Sequence, residues 1–227
     1  MRMMFPLHLI KCYNRVAVLA MLCLALCITT VKGQDESARK NALSIVAKHA
    51  ADLQLSKSQL TEVVVSSTYH DKLLNADLVY LQQTIHGIPV MNTIKTIAFK
   101  DDKVLSVSGK YYAAANGMVQ KNITPSVKAA DAVVAAAKDV NLVPIGNMAA
   151  QKTTENGRRA AFGNMGISES DITAELMWQP TDNNDLNLVW QVKVVPHKSS
   201  DYWLIQVDAH SGKAINKMNL TVFCNWG

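Results

Sequence analysis

A period of two, with one drier face, governs residues 77–109. In the first run, Val79, Leu81, Gln83 and Ile85 fall on one side of a pleat and Leu78, Tyr80, Gln82 and Thr84 on the other. His86-Gly87 interrupts it, because Gly87 takes positive φ at low cost, while Pro89 holds Ile88 extended and suits a strand start. A second strand over Ile88 to Phe99, a turn at Asp101-Asp102 and a return over Val104 to Ser108 complete a β-meander. Upstream the spacing changes to three and four. Ala38, Ala42, Ile45, Val46, His49 and Leu53 make one stripe, predicting a helix over 35–55 with Asp35 and Glu36 favouring its N-terminus. His49 lies on or beside that stripe, where a packed, hydrogen-bonded histidine is expected rather than a ligand. Ser56 to Gln59 suits a short extra turn, and Glu62 to Tyr69, with Val63, Val64 and Val65, reads as a strand.

The plan repeats downstream. Residues 113–122 read as a connecting segment. Thr124-Pro125 then supplies an N-cap and a first-turn proline for an alanine-rich helix over 126–138. Residues 146–170 show little periodicity and predict an irregular or mobile excursion. Strands resume over Ile172 to Trp178, Leu186 to Pro196 and Tyr202 to Asp208, closed by a Ser211-Gly212 turn. The predicted class is α+β, with two successive units that each pack a helix on an antiparallel meander.

Charge changes the picture only once the N-terminus is set apart. Residues 1–33 hold no acidic residue, four basic ones (Arg2, Lys11, Arg15, Lys32) and an apolar run from Val16 to Ile28. At about 13 residues, that run is shorter than the roughly 20 that span a bilayer, and it follows a basic segment as export leaders do. A signal peptide cleaved after Gly33 is expected, a membrane anchor being the alternative. Leu22 and Leu26 precede Cys23 and Cys27 where a lipobox needs a small residue, which favours a freely secreted chain. The whole chain carries 23 Lys+Arg against 18 Asp+Glu, and without the leader's four bases the balance is 19 against 18. That near-neutrality argues against nucleic acid as a partner, the adjacent pair Arg158-Arg159 reading as a solvated loop. Cys12, Cys23 and Cys27 lie in the leader, so Cys224 is left as a free thiol or one paired with another chain.

The meander residues also carry a resemblance. Val79-Tyr80-x-Gln82-Gln83-Thr84, then Gly87-Ile88-Pro89-Val90, then Lys103-Val104-x-Ser106-Val107-Ser108-Gly109 resemble the FTP motif of fungalysin and thermolysin propeptides. Further on, Glu175-Leu176-x-Trp178, Leu188-Val189-Trp190-x-Val192 and Tyr202-Trp203-x-Ile205-x-Val207-Asp208-Ala209-x-Ser211-Gly212 resemble the PepSY module that follows FTP in secreted metallopeptidase precursors. The resemblance implies two cystatin-like units. It divides the chain into a signal peptide (1–33), an FTP-like domain (34–115), a linker (116–123), a PepSY-like domain (124–221) and a tail (222–227) leading toward a catalytic domain. It also marks Gln83, Gly87, Ile88, Pro89, Val90, Gly109, Trp178, Trp190, Asp208 and Gly212 as motif positions, expected to be structural.

The zinc peptidases that carry such propeptides need His-Glu-x-x-His on a helix. Here His49, His70, His86, His197 and His210 are scattered singly, and neither a nucleophile elbow nor a phosphate loop occurs. No catalytic residue, metal site or cofactor is therefore expected. The resemblance implies a propeptide that binds a zinc metallopeptidase catalytic domain, in cis or in trans, as folding assistant and inhibitor. The alternatives are a truncated fragment of a metallopeptidase precursor and a stand-alone extracellular binding module. Asn122-Ile123-Thr124 and Asn219-Leu220-Thr221 match the glycosylation sequon, with Pro125 weakening the first.

Overall fold

The computed structural model describes residues 30–112, 122–146, 148–154, 156–183 and 185–222. The expected leader lies almost wholly outside them, as do most of the expected linker and of the tail with Cys224. Helix α1 (Thr30–Lys48) opens the described chain. It starts before Asp35 and Glu36, which therefore sit inside it rather than at its N-terminus, and it ends at Lys48 instead of Leu55. Beyond Lys48 the chain tightens into turns, and Gln54 at φ 54° stops the helical path, so that Leu53 and Leu55 can both tuck inward. A one-turn helix α2 (Lys57–Thr61) follows. Its capping box has the Ser56 hydroxyl accepting from Gln59 N and the Gln59 side chain accepting from Ser56 N.

Strands β1 (Val63–Asp71), β2 (Ala76–Ile85), β3 (Ile88–Lys100) and β4 (Lys103–Ser108) form the expected antiparallel meander. Ala42, Val46, Leu53 and Leu55 pack against Val65, Val79, Leu81, Ile97 and Phe99. Each fully buried large aliphatic there contributes on the order of 1.5–3 kcal/mol. The Asp101-Asp102 turn has both residues at positive φ, 48° and 57°, the mirror-image turn that suits strand twist. Asp102 then ties the turn to the end of α1 by accepting from Lys48 Nζ and pairing with His49 Nε2 (3.3 Å).

Helix α3 (Ala129–Asp139) begins later than Thr124-Pro125 would place it, and its N-cap Lys128 makes no side-chain capping bond. The reason lies in Val127, whose N–H donates to Ala209 O (2.9 Å) and whose C=O accepts from Trp190 Nε1 (2.8 Å). Both backbone groups are committed to the sheet, so the helix nucleates after them. Residues 146–170 are not an irregular excursion. They contain a hairpin, β5 (Lys152–Thr154) with β6 (Arg159–Ala161), and bury Phe162, Met165, Ile167 and Ser168. Strands β7 (Thr173–Pro180), β8 (Leu186–Val194), β9 (Trp203–Asp208) and β10 (Ala214–Asn219) make the second meander, the last of them absent from the sequence expectation. Ala132, Val133, Ala136 and Ala137 of α3 lie against its Leu176, Trp178, Trp190, Val192, Ile205 and Val207.

The fold is α+β with a mostly antiparallel sheet, in the order β1-β2-β3-β7-β8-β9-β10. The two meanders are continuous. β3 pairs with β7 in parallel at Val90 and Trp178, and Ile85, Ile88 and Val90 from the first meander sit in the core of the second.

Candidate functional site

The joint between the meanders gathers most of the motif residues. The hairpin turn His86-Gly87 has φ of 54° and 71°, so both positions are left-handed and the second suits glycine. A Cβ on Gly87 would also meet Arg158 Nη1 at 3.0 Å, the same guanidinium nitrogen that donates to His86 O (3.0 Å). Arg158 is thus a half-buried brace across the joint and not the solvated loop residue expected, whereas Arg159 is exposed. Trp178 is buried and its Nε1 donates to Ile85 O (3.1 Å), fastening the hairpin tip to β7.

Two adjacent glutamines do different work. Between Thr84 and Gln82 the β2–β3 register jumps, leaving residues 90–93 outside the ladder with Asn92 at φ 59°. Gln82 Nε2 fills that gap by donating to Val90 O (2.6 Å) and Thr93 Oγ1 (3.0 Å), while Thr93 Oγ1 donates to Val90 O (2.7 Å). Gln83 clamps the backbone of a single residue: Tyr112 N donates to its Oε1 (2.7 Å) and its Nε2 donates to Tyr112 O (3.0 Å). The bulge also delivers Met91 onto the other face of the second meander. There Met91 joins Met177 and Val189, and buried Gln206 donates to its sulfur (3.2 Å) and to Gln179 Oε1 (2.9 Å). Sequence alternation gave no hint of Gln82, Arg158 or Gln206, because each acts through a register break or a long-range contact.

The remaining motif positions lie away from the joint. Gly109 (φ 93°) runs so close to β3 that a Cβ would stand 2.1 Å from Ile94 O. Trp190 holds Val127. Asp208 closes the β9–β10 turn by accepting from Ser211 N (2.6 Å), Ser211 Oγ (2.8 Å) and His210 N (3.1 Å). Burial opposes its charge, but those bonds outweigh it and hold the carboxyl below the ordinary range. In the first meander, Lys95 Nζ sits 4.3 Å from the Tyr111 ring centroid, and burial pushes the Tyr111 hydroxyl up to about 12. His49 is packed as expected, its ring against Phe99 and its Nδ1 3.1 Å from Asp52; Asp52 first and Asp102 next raise it above the ordinary histidine range.

Beside the joint lies an open groove of about 830 Å³. Its walls are the middle of α1 (Glu36 to Leu43), four consecutive residues of β1 (Val63–Ser66) and the outer face of β7 and β8, together with Gly87, Pro89, Arg158 and Arg159. Among the described residues, no three His, Cys, Asp or Glu side chains gather as a metal set, and no helix is long and apolar enough to cross a membrane.

Residues 61–111, the first meander with its closing Gly109 and the Gln82-Gln83 pair, match the Fungalysin/Thermolysin Propeptide Motif. The chain carries this propeptide motif. It is also 30% identical over 143 residues to Extracellular metalloproteinase 9 of Coccidioides posadasii, an alignment covering 61% of this chain and 22% of that protein. The chain thus corresponds to about a fifth of its relative's length. Among solved structures, the Bacillus megaterium YpeB C-terminal domain aligns with 81% of this chain and 65% of its own, at a TM-score of 0.39 and 13% identity. The propeptide motif ends one residue before Tyr112, the residue whose backbone Gln83 clamps.

Proposed function

We propose that this chain is a secreted, non-catalytic propeptide-type protein that assists the folding of, and inhibits, a fungalysin-like zinc metallopeptidase. The partner is a catalytic domain, in cis in a longer precursor or in trans. The observation that carries this reading is the propeptide motif over 61–111 in a chain 30% identical to an extracellular metalloproteinase over 143 residues. On this reading the two meanders are an FTP-like and a PepSY-like unit, each cystatin-like, fused through β3 and β7. The action is steric: a folded propeptide covers the active-site cleft, and its cleavage shifts the enzyme toward the active state. No cofactor, nucleic acid or membrane takes part once the leader is gone.

The test is to refold a denatured fungalysin-type catalytic domain with and without the purified chain, then titrate the chain onto the mature enzyme. The expected result is a higher yield of refolded enzyme and a saturable loss of activity. Unchanged yield together with unchanged activity would remove the proposal.

A further inference from the structure

The groove beside the joint combines a free strand edge with an excess of positive charge. Among the described residues β1 pairs only with β2, so one side of it has no strand partner there. Side chains alternate along a strand, so four consecutive lining residues mean that the groove meets the backbone edge of β1 and not one of its faces. Thr84 N donates to Glu62 O (2.6 Å), which directs the Glu62 carbonyl toward β2. By the alternation of an antiparallel ladder, the N–H and C=O groups of Val63 and Val65 then point away from β2, toward the groove side of the strand, where the two residues keep 6% and 7% of their surface exposed. The bulge between Val65 and Ser67 limits this straight edge to a short stretch.

Around the edge stand five cationic side chains, Arg39, Lys40, Arg158, Arg159 and Lys193, against two carboxylates, Glu36 and Glu175. One of the carboxylates already pairs with Lys40 (2.9 Å). We propose that this groove binds an extended acidic peptide segment, which adds as a strand to the β1 edge while its carboxylates meet the surrounding cations. Backbone hydrogen bonds would give register, and the charge excess would give choice of sequence and speed of association. Opposed walls make the site a better match for a single extended strand than for a nucleic-acid duplex. The site stands independently of the peptidase reading, since a peptide probe tests it with no enzyme present.

The experiment measures fluorescence anisotropy of labelled hexapeptides with the purified full chain: alternating Glu-Val, alternating Lys-Val, and Glu-Val N-methylated at every second residue. The expected result is saturable binding of the Glu-Val peptide that weakens as salt rises, with about tenfold weaker binding of the N-methylated form. Arg159→Glu, at an exposed position clear of the core, is expected to weaken it about tenfold as well. Equal binding of the Lys-Val peptide, or full retention of affinity by the N-methylated form, overturns the proposal. So does equally tight binding of a single-stranded oligonucleotide, which would make the site a general polyanion surface.

Discussion

Gly109 leaves no room for a side chain: a Cβ there would stand 2.1 Å from Ile94 O, on a backbone already at φ 93°. Neither the carbonyl nor the strand behind it can yield cheaply, since Ile94 and Lys95 are held in register with Gln82 and Leu81 of β2 and the β4 ladder follows at once from Thr96. Gly109→Ala is expected to destabilise the chain by at least about 2 kcal/mol, read as a fall in the midpoint of urea unfolding. A midpoint unchanged from wild type would mean that the approach of the two backbones relaxes. Gln83 makes a complementary case, because it satisfies both polar groups of Tyr112 with one side chain. Gln83→Leu keeps the volume and orphans both, at an expected cost of about 1–3 kcal/mol. Gln83→Glu keeps an acceptor for Tyr112 N and loses the donor to Tyr112 O, so its cost should fall between wild type and Leu. Equal midpoints for Leu and Glu would show that the clamp acts by shape alone.

At the scale of elements, the end of α1 is held to the β3–β4 turn by charge. Asp102 accepts from Lys48 and His49, and His49 also faces Asp52. Asp52 and Asp102 raise the His49 imidazole, and Lys48 and His49 lower the Asp102 carboxyl. A raised histidine contributes stability that is fully present below its unfolded value, near 6.5, and is lost as pH climbs through its folded value. A lowered aspartate contributes stability above its unfolded value, near 3.9, and loses it as pH falls through its folded value. The tie is therefore strongest between about pH 4 and 6.5. Thermal midpoints should fall from pH 5.5 to 8.5, and by less in Asp102→Asn; parallel profiles for the two proteins would exclude this tie as the cause. The strands of both meanders other than β10, and the capped turn at Ser56, are legible from alternation and turn chemistry alone. The start of α3 is not, because Trp190 and Ala209, remote in sequence, claim the backbone of Val127 before it can become helical. β5 and β6 escape because three-residue strands are too short to display a period. β10 escapes because its solvent-facing residues leave no apolar alternation to read. The joint follows the same rule: Gly87 and Pro89 announce a turn and a strand, but Arg158 reading His86 O across 72 positions leaves no local trace.

For the whole molecule, the open question of mechanics is whether two helix-on-sheet layers behave as one body. The contacts argue that they do. The tip of the first meander, Ile85, Ile88 and Val90, is almost wholly buried, yet its neighbours belong to the core under α3 and not to the core under α1. Trp178 adds a buried hydrogen bond from β7 to Ile85, and β3 runs through both sheets, pairing with β2, β4 and β7 along its length. Unfolding the second meander would therefore expose the first meander's tip and strip a partner from β3, so neither half can melt without cost to the other. Trp178, Trp190 and Trp203 lie in the second half and the fourth tryptophan, Trp226, follows beyond the described residues, so in a Trp226→Phe background fluorescence reports that half, and hydrogen exchange of the β1–β4 amides reports the first. The two probes should give coincident urea transitions in the wild-type chain. Ile88→Ala, at a residue with no exposed surface, should lower both by the same amount, about 2–5 kcal/mol, although the residue belongs by sequence to the first meander and by packing to the second. If the mutation instead shifts the fluorescence transition and leaves exchange in β1–β4 untouched, the joint is a contact between two independent layers, and a partner could release one while the other stays folded.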